Sequence, residues 1–386
     1  MKYIKIFMLL IFTILNSSCA KAASKKDANN TAHKERTTID QSGLTQQKIT
    51  NNLYVLKNPN YNTNVGVFIG KDAILLIDPM TGNNNQKQLL NAIKQLSKKP
   101  IKYVINTHHH MDHSGANRFF KKLGATIISQ ENAKYSNALY DITFKDSYSL
   151  DMGNENIKLY HSTAHTFDDI LVYFENNNAV FMGDTFMTNS FPHFYYGGGG
   201  LGHLNIIDKA LSLGNVHTVI IPAHGKLASN KKELSVYREN SVQWISSIKS
   251  LFNEGKTSEE IAENVQIKKL STIFNNGRNV SKQSIQRTIN KTISVDLVVS
   301  KDLSEKTLKN YEGIYEYENG QVDEIIYQNK KLLFRSKGKY IYEITPLSEI
   351  KFHIKGQFPN KYLVFKNSGN EFEFFNGKKN LIAKRK

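Results

Sequence analysis

Apolar and polar positions follow two different regimes along the chain, with the change near Leu303. Upstream, short apolar runs alternate with helical periodicity. Leu53–Leu56 and Val65–Ile69 form strand-like runs, and Ala73–Asp78 is nearly continuous in apolar residues (Ile74, Leu75, Leu76, Ile77). Such a run suits a strand buried on both faces. Asn85–Leu96 places Leu89, Leu90, Ile93 and Leu96 at helical spacing, and Pro100 marks the return to strands at Tyr103–Ile105 and Thr126–Ser129. Leu171–Phe174 and Ala179–Met182 predict a hairpin across Glu175–Asn178, and Thr218–Ile221 a further buried strand. Leu234, Tyr237, Trp244, Ile245, Ile248, Leu251 and Phe252 then mark a long amphipathic helix that Gly255 ends. Thr257 and Glu260 form a capping box for another helix, and Ile285, Ile289 and Ile293 mark a third. Strands interrupted by helices predict a layered α/β domain over residues 45–300. Beyond Leu303 seven short alternating strands succeed one another (312–315, 324–327, 331–335, 340–344, 351–354, 362–365 and 371–375), separated by Asn-Gly, Asn-Lys, Lys-Gly and Ser-Gly turns. They predict a small antiparallel, barrel-like β domain over residues 301–386. It carries no catalytic constellation, and its lone His353 is expected to be structural or exposed. Dimerisation, contact with the cell envelope and covering of an active site stay open as its role.

The first residues have a different character. Lys2 and Lys5 precede an apolar core, Ile6–Leu15, that is too short to span a bilayer and has the length of an export signal. Residues 1–19 are therefore expected to be a signal peptide, and Leu15-Asn16-Ser17-Ser18-Cys19 resembles a bacterial lipobox with Cys19 as the lipid attachment site. Residues 20–44, rich in Lys, Ala, Ser, Asn and Thr, are expected to be a flexible tether. The protein would then reside in the bacterial cell envelope or periplasm, held to a membrane by an N-terminal lipid. Cleavage near Ala20–Ala23 without lipid is the competing expectation. Cys19 is the only cysteine in 386 residues, so a disulfide framework and multi-cysteine metal sites are excluded. Lys and Arg number 51 against 34 Asp and Glu, but the excess is spread along the chain, mostly as Lys. Without an Arg-rich or aromatic-interleaved basic run, a solubilising surface is favoured over a nucleic-acid partner.

Directly after the strand Tyr103–Ile105 stands His108-His109-His110-Met111-Asp112-His113. Imidazole is a poor core group and a common ligand of divalent metals, so this density at a strand end points to metal binding. His108 and His110, two apart, face one side of an extended segment, whereas Asp112 and His113 lie where the chain turns and face another point. The pattern suggests two metals. His165, Asp184 and His224 stand at later strand ends, each beside a small residue or glycine.

The string His108-x-His110-x-Asp112-His113, followed by His165, Asp184 and His224, resembles the ligand set of the metallo-β-lactamase superfamily over roughly Lys48–Ser294. That resemblance implies an αββα sandwich with the metals at one edge of two packed sheets. It implies that His108, His110 and His165 hold one zinc, that Asp112, His113 and His224 hold a second, and that Asp184 bridges both. Iron or manganese is an alternative to the two Zn²⁺. It further implies hydrolysis of a small-molecule substrate by a metal-bound hydroxide, with Asp112 orienting the nucleophile and passing its proton on. Asp78 is a candidate support for the His loop. In the loop Phe191–Gly200, His193, Tyr195 and Tyr196 are candidates for an apolar wall or an oxyanion donor, and the glycines for flexibility or close backbone approach. Asp184, with Met187 three residues on, resembles lactonases, hydroxyacylglutathione hydrolases and related esterases more than zinc β-lactamases, whose usual residue at the Asp184 position is Cys or Ser. Cleavage of an ester, lactone or thioester is thus expected. A zinc β-lactamase, or a cell-surface binding protein on a hydrolase scaffold, is the alternative. The oligomeric state is left open.

Overall fold

The four consecutive apolar residues Ile74–Ile77 show how the first domain is layered. Leu75 and Ile77 pack inward with Phe174 and Phe181, while Ile74 and Leu76 pack outward with Leu89 and Ile93 of the helix Asn85–Leu96. One strand thus serves two cores, as side chains of alternating direction require. The computed structural model describes residues 38–39, 43–57, 62–81, 85–136, 139–338, 340–358 and 361–386. The expected signal peptide, Cys19 and most of the tether lie outside the described residues.

An eight-stranded sheet runs in chain order from Thr38–Ile39 to Ile142–Phe144, and its last four strands are parallel. A six-stranded sheet places Ala179–Phe181 between Ile170–Phe174 and Val219–Ile221. The inner faces share one apolar core, and the helix Asn85–Leu96 covers the outer face of the first sheet. Helices Gly199–Ser212, Lys231–Asn253 and Lys282–Asp296 cover the outer face of the second around Trp244. This is the expected αββα sandwich. Among the described residues no helix is long and apolar enough to cross a membrane.

Several boundaries differ from expectation. The backbone of Thr38–Ile39 pairs with Thr45–Lys48 and Leu44 is buried, so the end of the expected tether belongs to the sheet. Asp112 and His113 lie on a short helix, Met111–Ser114, rather than in an open turn. Gly199 and Gly200 open the 14-residue helix Gly199–Ser212. At Gly197 and Gly198 a Cβ would collide with the Thr166 and Thr163 carbonyls, so these two glycines serve close approach to the His165 loop.

The C-terminal strands close into an eight-stranded antiparallel barrel, one strand more than expected. Asn380–Arg385 pairs with both Glu371–Phe375 and Gly313–Tyr317 and thereby removes the sheet's free edges. Tyr315, Phe334, Phe352, Phe365 and Phe372 fill its interior.

Candidate metal centre

Each candidate ligand leaves the sandwich at one edge. His108–His113 follow the strand Ile101–Ile105, His165 precedes Ile170–Phe174, Asp184 follows Ala179–Phe181, and His224 follows Val219–Ile221. The structure brings all seven together as two groups that share Asp184. One contains His108, His110, His165 and Asp184, the other Asp112, His113, His224 and Asp184.

In the first group His165 Nε2 lies 3.1 Å from His110 Nδ1 and 3.4 Å from Asp184 Oδ2, which is 4.0 Å from His108 Nε2. In the second, Asp184 Oδ1 is 3.1 Å from His224 Nε2 and 3.3 Å from His113 Nε2. Asp112 Oδ2 stands 3.4 and 3.5 Å from the same two nitrogens. Donors held about 2 Å from a common ion at tetrahedral angles stand roughly 3.3 Å apart, so these separations suit a metal rather than direct contact. Buried His108 Nε2, His113 Nε2 and Asp184 Oδ1 have no hydrogen-bond partner among the described residues. Such orphaned groups are costly unless something fills the space they face. Five nitrogens and two carboxylates fit a zinc-type donor set.

The remote ring nitrogens are anchored, and this orients the rings. His165 Nδ1 donates to the His193 carbonyl oxygen at 2.7 Å, and His224 Nδ1 to that of Asn62 at 2.9 Å. His113 Nδ1 lies 2.9 Å from Asp78 Oδ2, and His108 Nδ1 3.2 Å from Thr107 Oγ1. A carbonyl only accepts, so His165 and His224 carry the proton on Nδ1 and turn a free Nε2 to the centre. Asp78, at φ +50° in the left-handed region that Asp tolerates, also accepts from the Thr107 backbone N and Oγ1 at 2.8 and 2.7 Å. Asp78→Ala should weaken metal binding about 10–100-fold. It should also cost the apo protein about 1–3 kcal/mol by stranding buried donors. Chelator competition and denaturant unfolding check the two effects separately.

Burial keeps the His108 imidazole well below its ordinary range and, with His109 nearby, brings His110 down to about 4, so both are neutral and ready to ligate. Burial also opposes charge at His224, but the carboxylates of Asp184 and Asp112 push it up to about 10. His113 is likewise raised against its burial by Asp112, Asp78 and Asp184. At pH 7 the metal-free centre therefore holds protons that an ion must displace, and zinc affinity should rise with pH through this range. Calorimetric titration of zinc into the apo protein, in buffers of different ionisation enthalpy, should show release of at least one proton per chain. An enthalpy independent of buffer would contradict this.

The loop candidates separate. Tyr196 sits with its ring centroid 5.8 Å from His110 and 5.6 Å from His165, and its hydroxyl accepts from Lys291 Nζ at 2.7 Å. His193 contributes its carbonyl and a ring stacked 6.1 Å from His165. Tyr195 departs from the expected role: its ring is buried in the helical-face core beside Phe194. Sequence reasoning missed Thr107, Asp168 and Asp169. Asp168 Oδ1 lies 2.6 Å from His109 Nδ1, and Asp169 accepts from the Thr166 backbone N and Oγ1 at 2.7 and 2.8 Å, bracing the His165 loop. Their place in Ala164–Asp169, three and four residues after His165, was the available signal.

Residues 59–224 match the metallo-beta-lactamase superfamily. A hydroxyacylglutathione hydrolase of Pelagibacter ubique is 40% identical over 97 residues, covering 24% of this chain and 41% of its own length. A probable hydroxyacylglutathione hydrolase of Schizosaccharomyces pombe is 30% identical over 160 residues, covering 39% of this chain and 61% of its own. The chain thus spans about two-fifths to three-fifths of these curated relatives. Among solved structures, a stereoselective inverting sec-alkylsulfatase from a Pseudomonas species shares the fold, with TM-score 0.52 and 15% identity over 69% of this chain and 53% of that one.

Proposed function

On the premise that residues 59–224 form a metallo-beta-lactamase superfamily domain, we propose that the protein is a dinuclear zinc hydrolase that cleaves an ester, lactone or thioester. The observation that supports it most is the pair of four-donor groups sharing Asp184, with buried His108 and His113 nitrogens that have no hydrogen-bond partner among the described residues. Zinc held there would supply, at neutral pH, an acidified water as nucleophile and a Lewis acid for the carbonyl. The chain's own residues do the rest. His108, His110 and His165 would hold one ion and His113, His224 and Asp112 the other, with Asp184 common to both donor groups. Asp112 is held well below the usual carboxylate range by His113 and His224, despite its burial. It stays ionised and can accept a hydrogen bond that aligns the nucleophile. Tyr196, its oxygen engaged by Lys291, stands beside the first group where it can donate to a developing oxyanion.

A thioester is favoured within this class because two curated relatives are hydroxyacylglutathione hydrolases. Position 187, where a drug-binding lysine would assist a β-lactamase, is a buried Met. In the same reading residues 1–19 export the chain and Cys19 carries a lipid. Purified protein should contain close to two zinc ions per chain. It should turn over at least one of a hydroxyacylglutathione thioester, an acyl-homoserine lactone and an aryl ester, with activity lost to chelation and restored by zinc. Turnover of nitrocefin alone would reverse the assignment.

A further inference from the structure

The metal groups border a cavity of about 690 Å³, one wall of which comes from the C-terminal barrel through Ile341, Tyr342 and Gln357. His110 and Asp112 of the metal groups also line it. An aromatic path connects the two: His110 packs edge-on to Tyr196, and Tyr196 packs against Tyr342 with centroids 6.5 Å apart. The barrel is docked for this. Buried His353, far from exposed, brings Nε2 to 2.8 Å from Ser294 Oγ and 3.0 Å from the Ser294 carbonyl on the helix Lys282–Asp296. Gly356, at φ +73°, abuts the Tyr195 carbonyl so closely that a Cβ there would collide with it. The loop that presents Tyr196 to the metal groups is thus also the surface on which the barrel rests.

The cavity is chemically asymmetric. Tyr196, Tyr342, Ile341 and Leu139 give it an apolar body. Among its lining residues Arg118, exposed on the helix Asn117–Lys122, is the one arginine or lysine and has no ion pair among the described residues. A guanidinium left free at the rim of an apolar cavity matches a carboxylate, which it binds through two parallel hydrogen bonds. The same cavity is lined by His110 and Asp112 of the metal groups, so a ligand whose scissile acyl bond sits there can extend a carboxylate toward Arg118.

We propose that the barrel is the specificity wall of the hydrolase, and that Tyr342 and Arg118 select an ester or thioester with an apolar, preferably aromatic, body and a carboxylate remote from the scissile bond. The assignment rests on the hydrolase reading, and it gives the barrel a part in substrate choice. Tyr342 supplies apolar surface and Arg118 the charge recognition, while neither holds metal.

The test uses the full, zinc-loaded chain with S-phenyl thioacetate and S-(4-carboxyphenyl) thioacetate as a matched pair. The wild type should prefer the carboxylate. Arg118→Gln should lower the kcat/KM ratio between the two at least tenfold, and Tyr342→Ala should raise KM for both about tenfold, with Tyr342→Phe restoring it. An unchanged ratio in Arg118→Gln, or an unchanged KM in Tyr342→Ala, would overturn the proposal. Calorimetric binding of the inert thioether 4-(benzylthio)benzoate separates this from failure of the hydrolase reading. If no thioester is cleaved but the thioether binds and loses tenfold in affinity in both variants, the pocket stands and the reaction falls. If the wild type neither cleaves the pair nor binds the thioether, the pocket assignment falls as well.

Discussion

Asp184→Ala should cost the protein most of its metal and at least a thousandfold in kcat/KM, about 4 kcal/mol of transition-state stabilisation. Asp184 is the one side chain common to both donor groups, with Oδ2 turned to His165 and Oδ1 to His113 and His224. Its carboxyl, although buried, is held well below the usual range by the imidazoles of His224 and His113, so it is a fixed negative charge in a crowd of five histidines. Alanine removes a ligand atom from each group and also the charge that makes two neighbouring cations tolerable. Asp184→Asn keeps the shape and removes the charge, so it separates the two effects. If bridging geometry dominates, the amide variant should retain part of its zinc; if charge dominates, it should resemble alanine. Elemental analysis of the purified variants, with circular dichroism to confirm folding, reads the first loss, and steady-state kinetics the second. Wild-type zinc content in Asp184→Ala would remove the shared-ligand assignment.

The two donor groups were legible in the sequence because their residue types are chemically marked. Six positions with four histidines and an aspartate at a strand end have no apolar-core use, and Asp184 and His224 stand just after strands while His165 stands just before one. What aims them was not legible. His224 is oriented by the carbonyl of Asn62, 162 residues away, and a backbone carbonyl leaves no trace in side-chain pattern. Asp168 and Thr107 are ordinary residue types whose role exists only through proximity to His109 and His108. The same limit explains the barrel. Strand alternation predicted a small antiparallel domain, but Asn380–Arg385 is mostly exposed and ends in charged residues, so its pattern is weak until pairing with Gly313–Tyr317 closes the ring. That Tyr342 reaches the metal cavity follows from docking through Ser294, Tyr195 and Gly356, contacts between segments distant in sequence. The fold class was a matter of periodicity and the ligands a matter of chemistry. The pocket depends on long-range packing, which neither encodes locally.

Asp112→Ala should separate metal holding from turnover more sharply than any other ligand change. Asp112 belongs only to the second group and lines the cavity, with its side chain 43% exposed against 9% for Asp184. Its loss leaves the first group of four donors intact and the second with His113, His224 and Asp184. Zinc content should therefore fall from near two toward one per chain, whereas kcat should fall by about 10²–10⁴ because the group that aligns the nucleophile is gone. KM should change little, since the apolar and cationic walls of the cavity are untouched. Asp112→Glu tests positioning directly: it keeps the charge and moves it by a methylene, so zinc content should recover further than kcat. Near-normal kcat in Asp112→Ala with one zinc bound would mean that the first group carries the chemistry alone. The remaining carboxylate, Asp184, would then have to orient the nucleophile, which its burial between both groups leaves it poorly placed to do.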